Sequence, residues 1–399
     1  MAKNNNLSCA KAKLRGREAY CLTNGLVQLM SFTGGGHIAE FRFTDQSGQS
    51  RVNPLWAPPW PTIEPYRFKE KLHGAKYGPI GEARLLSGIA GHNLCLDYFG
   101  PPSDKEAAQG MGSHGEAPVA QWRKERVQVS ARQAALTLGV DLPEAGLRFN
   151  REIRMGRNES VAYIRETVIN SRKQDHLFHW TQHVTLGPPF LNAETCRTAI
   201  SGTKGKTFPL GYGGKELLAS GKEFRWPNAP GAKGGEVDLR QPISQRGLGF
   251  CLGVLMDPRR AVEFVAAVNS KEHLLMGYCF RRRDFPWAVV WEENCSRDVN
   301  PWKGRTQTRG LEFGSTPMPY PRKEAFAQGP LFGTPMYSTV PARGRLTAEY
   351  LTFLCNVPPD FGEVRDITLE AGAILAHGTA VKTPVRVPAA GLAPLLAAS

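Results

Sequence analysis

The chain has 399 residues, of which 41% are apolar and 22% are charged, values ordinary for a folded globular protein that exclude disorder throughout. Lysine and arginine (50) outnumber aspartate and glutamate (36), giving a formal charge of +14. The basic residues are scattered and form no nucleic-acid-binding motif, so we expect a solvated basic surface and no nucleic-acid partner.

The ends of the chain and its cysteines indicate a cellular compartment. The amino-terminal segment lacks the apolar stretch of a signal peptide, and no run of about 20 apolar residues is present to span a membrane. The eight cysteines are widely spaced without a Cys-x-x-Cys pair, which is typical of buried thiols in a reducing environment. We therefore expect a cytoplasmic protein with no membrane partner. Its single domain should span residues 21–388, between a loosely ordered segment 1–20 and a tail 389–399.

Alternation of apolar and polar residues predicts strands along most of the chain. Near the amino end, Asn24-Gly25 divides "REAYCLTNGLVQLM" and indicates a hairpin turn. Further strands are predicted over residues 135–142, 147–155, 160–170, 176–187, 249–256, 261–268, 274–281, 287–293 and 346–357. Helices are few, with one short candidate in "KEAFAQG", so the predicted fold class is an all-β sandwich or barrel. The long loops 53–68 and 208–235 are expected to build a binding surface.

A histidine stands in the glycine-rich stretch "GMGSHGEAPVAQW" (110–122). Taken alone, His114 is a solvated turn residue. It gains another interpretation only if a chemical partner lies elsewhere in the sequence.

The segment "DHLFHWTQHVTLGPPF" (175–190) carries two histidines that share one face if it is a single strand. His179 and His183 would then be separated by roughly 13 Å, four residues at the rise of a strand. That is far for one metal ion, and the β-branched residues disfavour the helix on which His-x-x-x-His binds zinc. We expect no metal site here. The competing interpretation is two histidines hydrogen-bonded within a sheet.

The segment "WAVVWEENCSRDVNPWKG" (287–304) combines tryptophans with adjacent carboxylates. Indole faces stack on sugar rings and carboxylates accept hydrogen bonds from sugar hydroxyls. Trp291 and Glu292 are therefore candidates for sugar binding. A core strand with a solvated acidic end is the equally weighted alternative.

A carboxylate stands between two glycines in "RTQTRGLEFGSTPMPYP" (305–321). On a strand, Glu312 shares its face with Gly310 and Gly314, so a ligand has room to approach it. Burial would raise the pKa of Glu312 and nearby arginines would lower it. A surface glutamate at a strand end is the alternative.

Three segments occur in one order, namely "SHGEAPVAQW", "WTQHVTLGPPF" and "RGLEFGST". In this order they resemble the galactose mutarotase (aldose 1-epimerase) superfamily, over roughly residues 25–360. The resemblance implies a large antiparallel β-supersandwich with few short helices.

The resemblance also implies roles for three residues at the anomeric centre of a sugar. Glu312 would remove the proton of the C1 hydroxyl, His183 would protonate the ring oxygen, and His114 would hold the ring-oxygen side by a hydrogen bond. This chemistry needs one acid and one base near neutral pKa and no cofactor. The expected partner is a small-molecule sugar or sugar phosphate, with the oligomeric state left open.

The sequence departs from galactose mutarotases ahead of the first histidine, where their arginine motif is replaced by "GHNLCLDYFGPPS". We expect His92 and Asp97 to contribute to substrate binding there, together with His179. Two alternatives stay open. One is a non-catalytic sugar-binding β-sandwich. The other is a polysaccharide lyase or hydrolase that pairs Glu292 or Glu293 with Glu312, since hydrolysis uses two carboxylates about 5–10 Å apart.

Overall fold

The computed structural model describes residues 7–45, 49–78, 81–392 and Leu395. Antiparallel strands dominate these ranges, as the alternation predicted. The first thirteen strands are β1 Ser8–Leu14, β2 Arg17–Thr23, β3 Val27–Phe32, β4 Ile38–Phe43, β5 His92–Cys95, β6 Arg123–Val129, β7 Gln133–Leu142, β8 Leu147–Gly156, β9 Val161–Asn170, β10 His176–Phe178, β11 Thr181–Leu186, β12 Cys196–Ile200 and β13 Gly202–Thr207.

The later strands of the described ranges are β14 Glu223–Arg225, β15 Asn228–Pro230, β16 Glu236–Asp238, β17 Leu248–Met256, β18 Val262–Asn269, β19 Leu274–Arg281, β20 Trp287–Asn294, β21 Gln307–Gly314, β22 Ser338–Val340, β23 Arg345–Asn356, β24 Val364–Glu370, β25 Ala373–Gly378 and β26 Val385–Pro388. The α-helices found there are short, as expected: α1 Glu70–Tyr77, α2 Ala83–Leu86, α3 Asp104–Ala108 and α4 Arg322–Ala327. None of the helices in the described ranges has the length and apolar character that crossing a membrane requires.

Two large sheets form the sandwich. Within the described residues, the larger sheet has the strand order β1-β2-β3-β4-β5-β11-β21-β20-β17-β13-β14-β15-β16, and the second has the order β12-β18-β19-β23-β9-β8-β7-β6. Leu29 of the larger sheet and Ile164 of the second belong to one buried apolar cluster, so the two sheets pack face to face. The large antiparallel β-sandwich expected from the sequence is therefore confirmed.

A third layer covers the outer face of the second sheet. Strands β24, β25 and β26 form a small sheet, and Ile374 from it packs with Phe353 of β23 in a second buried cluster. Burial of this apolar surface fixes the carboxyl-terminal part of the chain to the sandwich.

The expected tails are partly wrong. Residues 8–14 form β1, which pairs along its whole length with β2. The sequence did not predict this strand because it contains few apolar residues. A strand at the edge of a sheet can form with few buried side chains. At the other end, Leu392 and Leu395 are buried in the second cluster, and the Ala390 N–H donates to Glu159. Residues 1–6 lie outside the described ranges.

Candidate active site

Three neighbouring strands of the larger sheet, β11, β21 and β20, direct side chains to the face away from the main core. Glu312 of β21 and Trp291 of β20 lie on this face, because Val289 and Gly310 are their respective partners across the two strands. His183 of β11 lies beside Glu312, between the paired positions Gln182–Phe313 and Thr185–Gly310. The two-residue period of the strands thus gathers an imidazole, a carboxyl and an indole from distant parts of the sequence.

These side chains line a cavity of about 540 Å³, within the roughly 300–1,000 Å³ typical of small-molecule sites. Its walls come from α2 and from the loops 99–114, 208–215 and 296–302. His114 reaches the same cavity from the first of these loops. The structure therefore brings together His114, His183 and Glu312.

The floor of the cavity is a buried histidine–carboxyl pair. His183 Nε2 lies 3.4 Å from Glu312 Oε1, while His183 Nδ1 lies 3.0 Å from the hydroxyl of Thr185. Neither oxygen of Glu312 has a hydrogen-bond partner in the described part of the chain, although the residue is fully buried. Buried carboxyl oxygens without partners are costly, so this pair is arranged to receive a ligand.

Burial moves the two groups of this pair toward their uncharged forms. It raises the pKa of the Glu312 carboxyl well above its ordinary value and lowers the pKa of His183 to about 4. Both shifts favour the state in which Glu312 holds its proton and His183 is neutral. Movement of that proton from Glu312 to His183 produces a carboxylate base beside an imidazolium acid.

His114 is held in one orientation by the loop that carries it. Its φ is 65°, and the following Gly115 has φ 79°, where an added Cβ would lie 2.2 Å from the Leu96 carbonyl oxygen. The Gly100 N–H donates to His114 Nδ1 over 3.1 Å, so the neutral ring carries its proton on Nε2. Phe99 stacks on the imidazole at 5.3 Å between centroids.

The orientation of His114 makes it a hydrogen-bond donor to a ligand in the cavity. Its ring centroid lies 5.2 Å from that of His183. Burial, together with the charges of His183 and Arg297, lowers the pKa of His114 well below its ordinary value. His114 is therefore neutral at neutral pH and presents its Nε2–H without a positive charge.

An arginine held among aromatic rings completes the wall, and the sequence did not identify it. The Arg297 guanidinium lies 4.9 Å from the Trp302 ring centroid and 5.7 Å from that of Trp291. Its Nη2 donates to the Tyr212 hydroxyl, which in turn accepts from Trp291 Nε1 over 2.7 Å. Arg297 follows Trp291 by six residues in the same tryptophan- and glutamate-rich segment. It lies in the loop after β20, and the conformation of that loop decides where its side chain points.

The structure separates Trp291 from Glu292. Trp291 lines the cavity, whereas the expectation that Glu292 binds substrate is wrong in position. Glu292 points into the main core, where its Oε2 accepts from Arg309 over 2.6 Å and its Oε1 accepts from the Ile243 N–H. Adjacent residues of a strand face opposite sides of the sheet, so only one of the two can reach the cavity.

His92 and Asp97 also lie outside the cavity. His92 is buried in the main core, where its Nε2 lies 2.9 Å from Gln182 Oε1. Asp97 lies 2.9 Å from His176 and 3.1 Å from Arg322. Burial alone would raise the pKa of Asp97, but the His176 hydrogen bond and the Arg322 charge outweigh it and hold the pKa low. Both residues thus have complete structural roles away from the sugar site predicted for them.

His179 is displaced by an interruption of the predicted strand. β10 ends at Phe178 and β11 begins at Thr181, and the two belong to different sheets, so a single alternating face does not run through residue 179. His179 Nδ1 instead accepts from the Phe99 N–H, 3.1 Å away, beside the ring of Phe326. His179 therefore supports the residue that stacks on His114. Among the described residues, no cluster of three or more histidine, cysteine, aspartate or glutamate side chains has the spacing to hold a metal ion.

Comparison with solved structures identifies proteins of the same architecture. A proposed aldose 1-epimerase from Klebsiella pneumoniae superposes with a TM-score of 0.62 at 13% identity, covering 85% of this chain and 79% of the other. A galactose mutarotase-like protein from Clostridium acetobutylicum gives a TM-score of 0.59 at 12% identity, covering 89% and 100%.

A proposed mutarotase from Salmonella typhimurium gives a TM-score of 0.54 at 12% identity, covering 87% of this chain and 94% of the other. No protein-family model matches the sequence, and no curated protein matches it. At these identities the likeness establishes the fold.

Proposed function

We propose that this chain, which has the galactose mutarotase-like fold, is an aldose 1-epimerase that interconverts the two anomers of a reducing sugar. One observation carries the proposal. A buried imidazole and a buried carboxyl, His183 and Glu312, lie 3.4 Å apart at the floor of a cavity of small-molecule size, beside the donor His114. Anomer exchange requires a base at the C1 hydroxyl, an acid at the ring oxygen and a donor that holds the ring.

The proposed reaction conserves the proton of the pair. The Glu312 carboxylate takes the proton of the C1 hydroxyl, the C1–O5 bond breaks, and O5 takes the proton of the His183 imidazolium. The products are the open-chain aldehyde, protonated Glu312 and neutral His183. Rotation about C1–C2 presents the other face of the aldehyde. O5 then attacks C1 and returns its proton to His183, while the C1 oxygen recovers a proton from Glu312.

Three features of the cavity support these assignments. His183 Nε2 and Glu312 Oε1 lie 3.4 Å apart, so one sugar can contact both groups at once. His114 keeps its Nε2–H available because the Gly100 N–H occupies Nδ1. The indole of Trp291 offers an apolar face on which a pyranose ring stacks.

The carboxylate pairs considered for a hydrolase lack a free second acid. Glu292 is engaged by Arg309 in the main core. Glu293 accepts hydrogen bonds from Ser296 and from the Tyr212 hydroxyl. Neither carboxyl is available beside Glu312, so these contacts disfavour the lyase or hydrolase alternative.

Polarimetry and NMR of freshly dissolved α-glucose and α-galactose test the proposal. We expect the protein to accelerate anomer exchange and Glu312→Gln to lower kcat by about 10²–10⁴-fold. Glu236→Gln, at an exposed position of β16, is the matched control and should keep full activity. Sugar binding measured by ligand-observed NMR, without any acceleration by the wild-type protein, would instead establish the non-catalytic binding alternative.

A further inference from the structure

Two exposed apolar side chains stand at the mouth of the cavity. The described part of the chain exposes five large apolar side chains, and two of them, Leu210 (65% exposed) and Val299 (60% exposed), line this cavity. Exposed apolar side chains gathered at one place mark a binding surface. We call Leu210 and Val299 the rim.

Hydrogen bonds fasten together the two loops that carry the rim. Lys215 Nζ donates to Asp298 over 2.8 Å and also to the Ser296 carbonyl oxygen. The Tyr212 hydroxyl accepts from Arg297 of the facing loop. These hydrogen bonds join the two loops and hold the rim in a fixed position.

The acid–base pair and the rim lie at opposite ends of the cavity. His183 and Glu312 are 6% and 0% exposed, so they form its floor. Between floor and rim, one wall is hydrocarbon from α2 and the ring of Trp302. A sugar with C1 at the floor directs C4 and C6, the opposite edge of the ring, toward the rim.

The cations near the rim already have partners. Lys215 pairs with Asp298, and Arg297 Nε lies 3.5 Å from Glu293. A phosphate on the sugar therefore meets cations that are already neutralised, beside exposed hydrocarbon. This arrangement favours an apolar substituent over an anionic one.

We propose that the substrate is a reducing sugar carrying a hydrocarbon group, such as an acyl chain, on the edge of the ring remote from C1. This inference rests on the proposed function for the placement of C1. The rim and the α2 wall bury the hydrocarbon, while the sugar ring occupies the floor. Each methylene that leaves water contributes about fourfold in affinity.

Steady-state mutarotation of four sugars tests this substrate class: glucose, 6-O-hexanoylglucose, maltose and glucose 6-phosphate. We expect kcat/KM for the hexanoyl sugar to exceed that for glucose by about 50-fold, mainly through KM, if three methylenes are buried. The double variant Leu210→Ser, Val299→Ser should bring this ratio close to one. Leu72→Ser, at an exposed position on α1, is the matched control and should leave the ratio unchanged.

Two outcomes overturn the inference. One is a hexanoyl sugar that is no better than glucose, and the other is a preference for maltose or glucose 6-phosphate. Isothermal titration with the same sugars separates this inference from the proposed function. Tight, rim-dependent binding of the hexanoyl sugar without anomer exchange would uphold the subsite and reject the epimerase. Anomer exchange without a hexanoyl preference would do the reverse.

Discussion

His183 Nε2 and Glu312 Oε1 lie 3.4 Å apart on adjacent strands, in surroundings that disfavour the charge of each. The separation is longer than an ordinary hydrogen bond, so the Glu312 carboxyl stays free to accept from a ligand. Strand pairing fixes it, so the pair is formed before any ligand arrives. Two consequences follow, one for the dependence of the reaction on pH and one for the glycine beneath the carboxyl.

The pair should give a bell-shaped pH dependence of kcat/KM with a low acid limb. Burial lowers the pKa of His183 to about 4, so a second proton enters the pair only near that pH and then leaves no base for the C1 hydroxyl. On the alkaline limb the pair loses its remaining proton. Because burial raises the pKa of Glu312, this limb lies above the ordinary pKa of a carboxyl group. Polarimetry across pH measures both limbs, with near-UV circular dichroism to verify folding. An acid limb near 6.5, the value of an exposed histidine, would contradict this arrangement.

Gly310→Ala should damage the site while leaving the sheet intact. A Cβ at position 310 would lie 2.4 Å from Glu312 Oε1, so the carboxyl must move. Displacement of a catalytic group by about 1 Å costs on the order of 100-fold in rate. Single-turnover or steady-state mutarotation measures the loss, and urea unfolding should show a stability close to that of the wild type. A variant with full activity would mean that the position of Glu312 does not matter.

The sequence predicted the strands well because alternation reports directly on which side chains are buried. Glu312 could be recognised from its flanking glycines, because a side chain at position 310 would occupy the space taken by the Glu312 carboxyl. Glu292 was misassigned because the composition of a strand does not show which of its two faces points into the cavity. Its partner Arg309 lies directly opposite it on β21, which only the register reveals.

Contacts between distant loops account for the other differences. His179 was misplaced because the change of sheet between Phe178 and Thr181 leaves no mark on the apolar pattern. Tyr212 and Arg297 were overlooked for a related reason: 85 residues separate them, and they meet only where two loops close over the strands. Sequence spacing does not encode such a meeting.

Substitutions of His114 should separate the effect of its backbone conformation on stability from the effect of its Nε2–H donor on activity. Its φ of 65° is a conformation that glycine and asparagine adopt readily and alanine does not. His114→Gly, His114→Asn and His114→Ala should all lower kcat/KM, because each removes the Nε2–H donor. The alanine variant alone should also lose roughly 1 kcal/mol of unfolding free energy relative to the glycine variant. Urea unfolding and polarimetry provide the two readouts. Equal stabilities of the alanine and glycine variants would show that the loop relaxes.

Glu263→Gln should stabilise the protein above about pH 4.5, with nearly the full effect from pH 7 upward. Glu263 of β18 is buried, and Arg260 Nε lies 3.9 Å from its carboxyl. Burial raises the pKa of Glu263 from 4.5 to about 7. Between these values the folded state binds the proton more tightly than the unfolded chain does, so stability falls as pH rises from 4.5 to 7 and stays low above it.

Glutamine cannot ionise, so the variant should escape this loss. Urea unfolding at pH 8 should show Glu263→Gln more stable than the wild type by roughly 3 kcal/mol, the free energy that corresponds to the shift in pKa. At pH 4.5 the two proteins should differ little, because Glu263 is then protonated in both states. The exposed Glu236→Gln variant controls for a general change in net charge. An equal gain in stability at both pH values would show that the neutral amide packs better than the carboxylic acid, and that ionisation of Glu263 does not cause the loss.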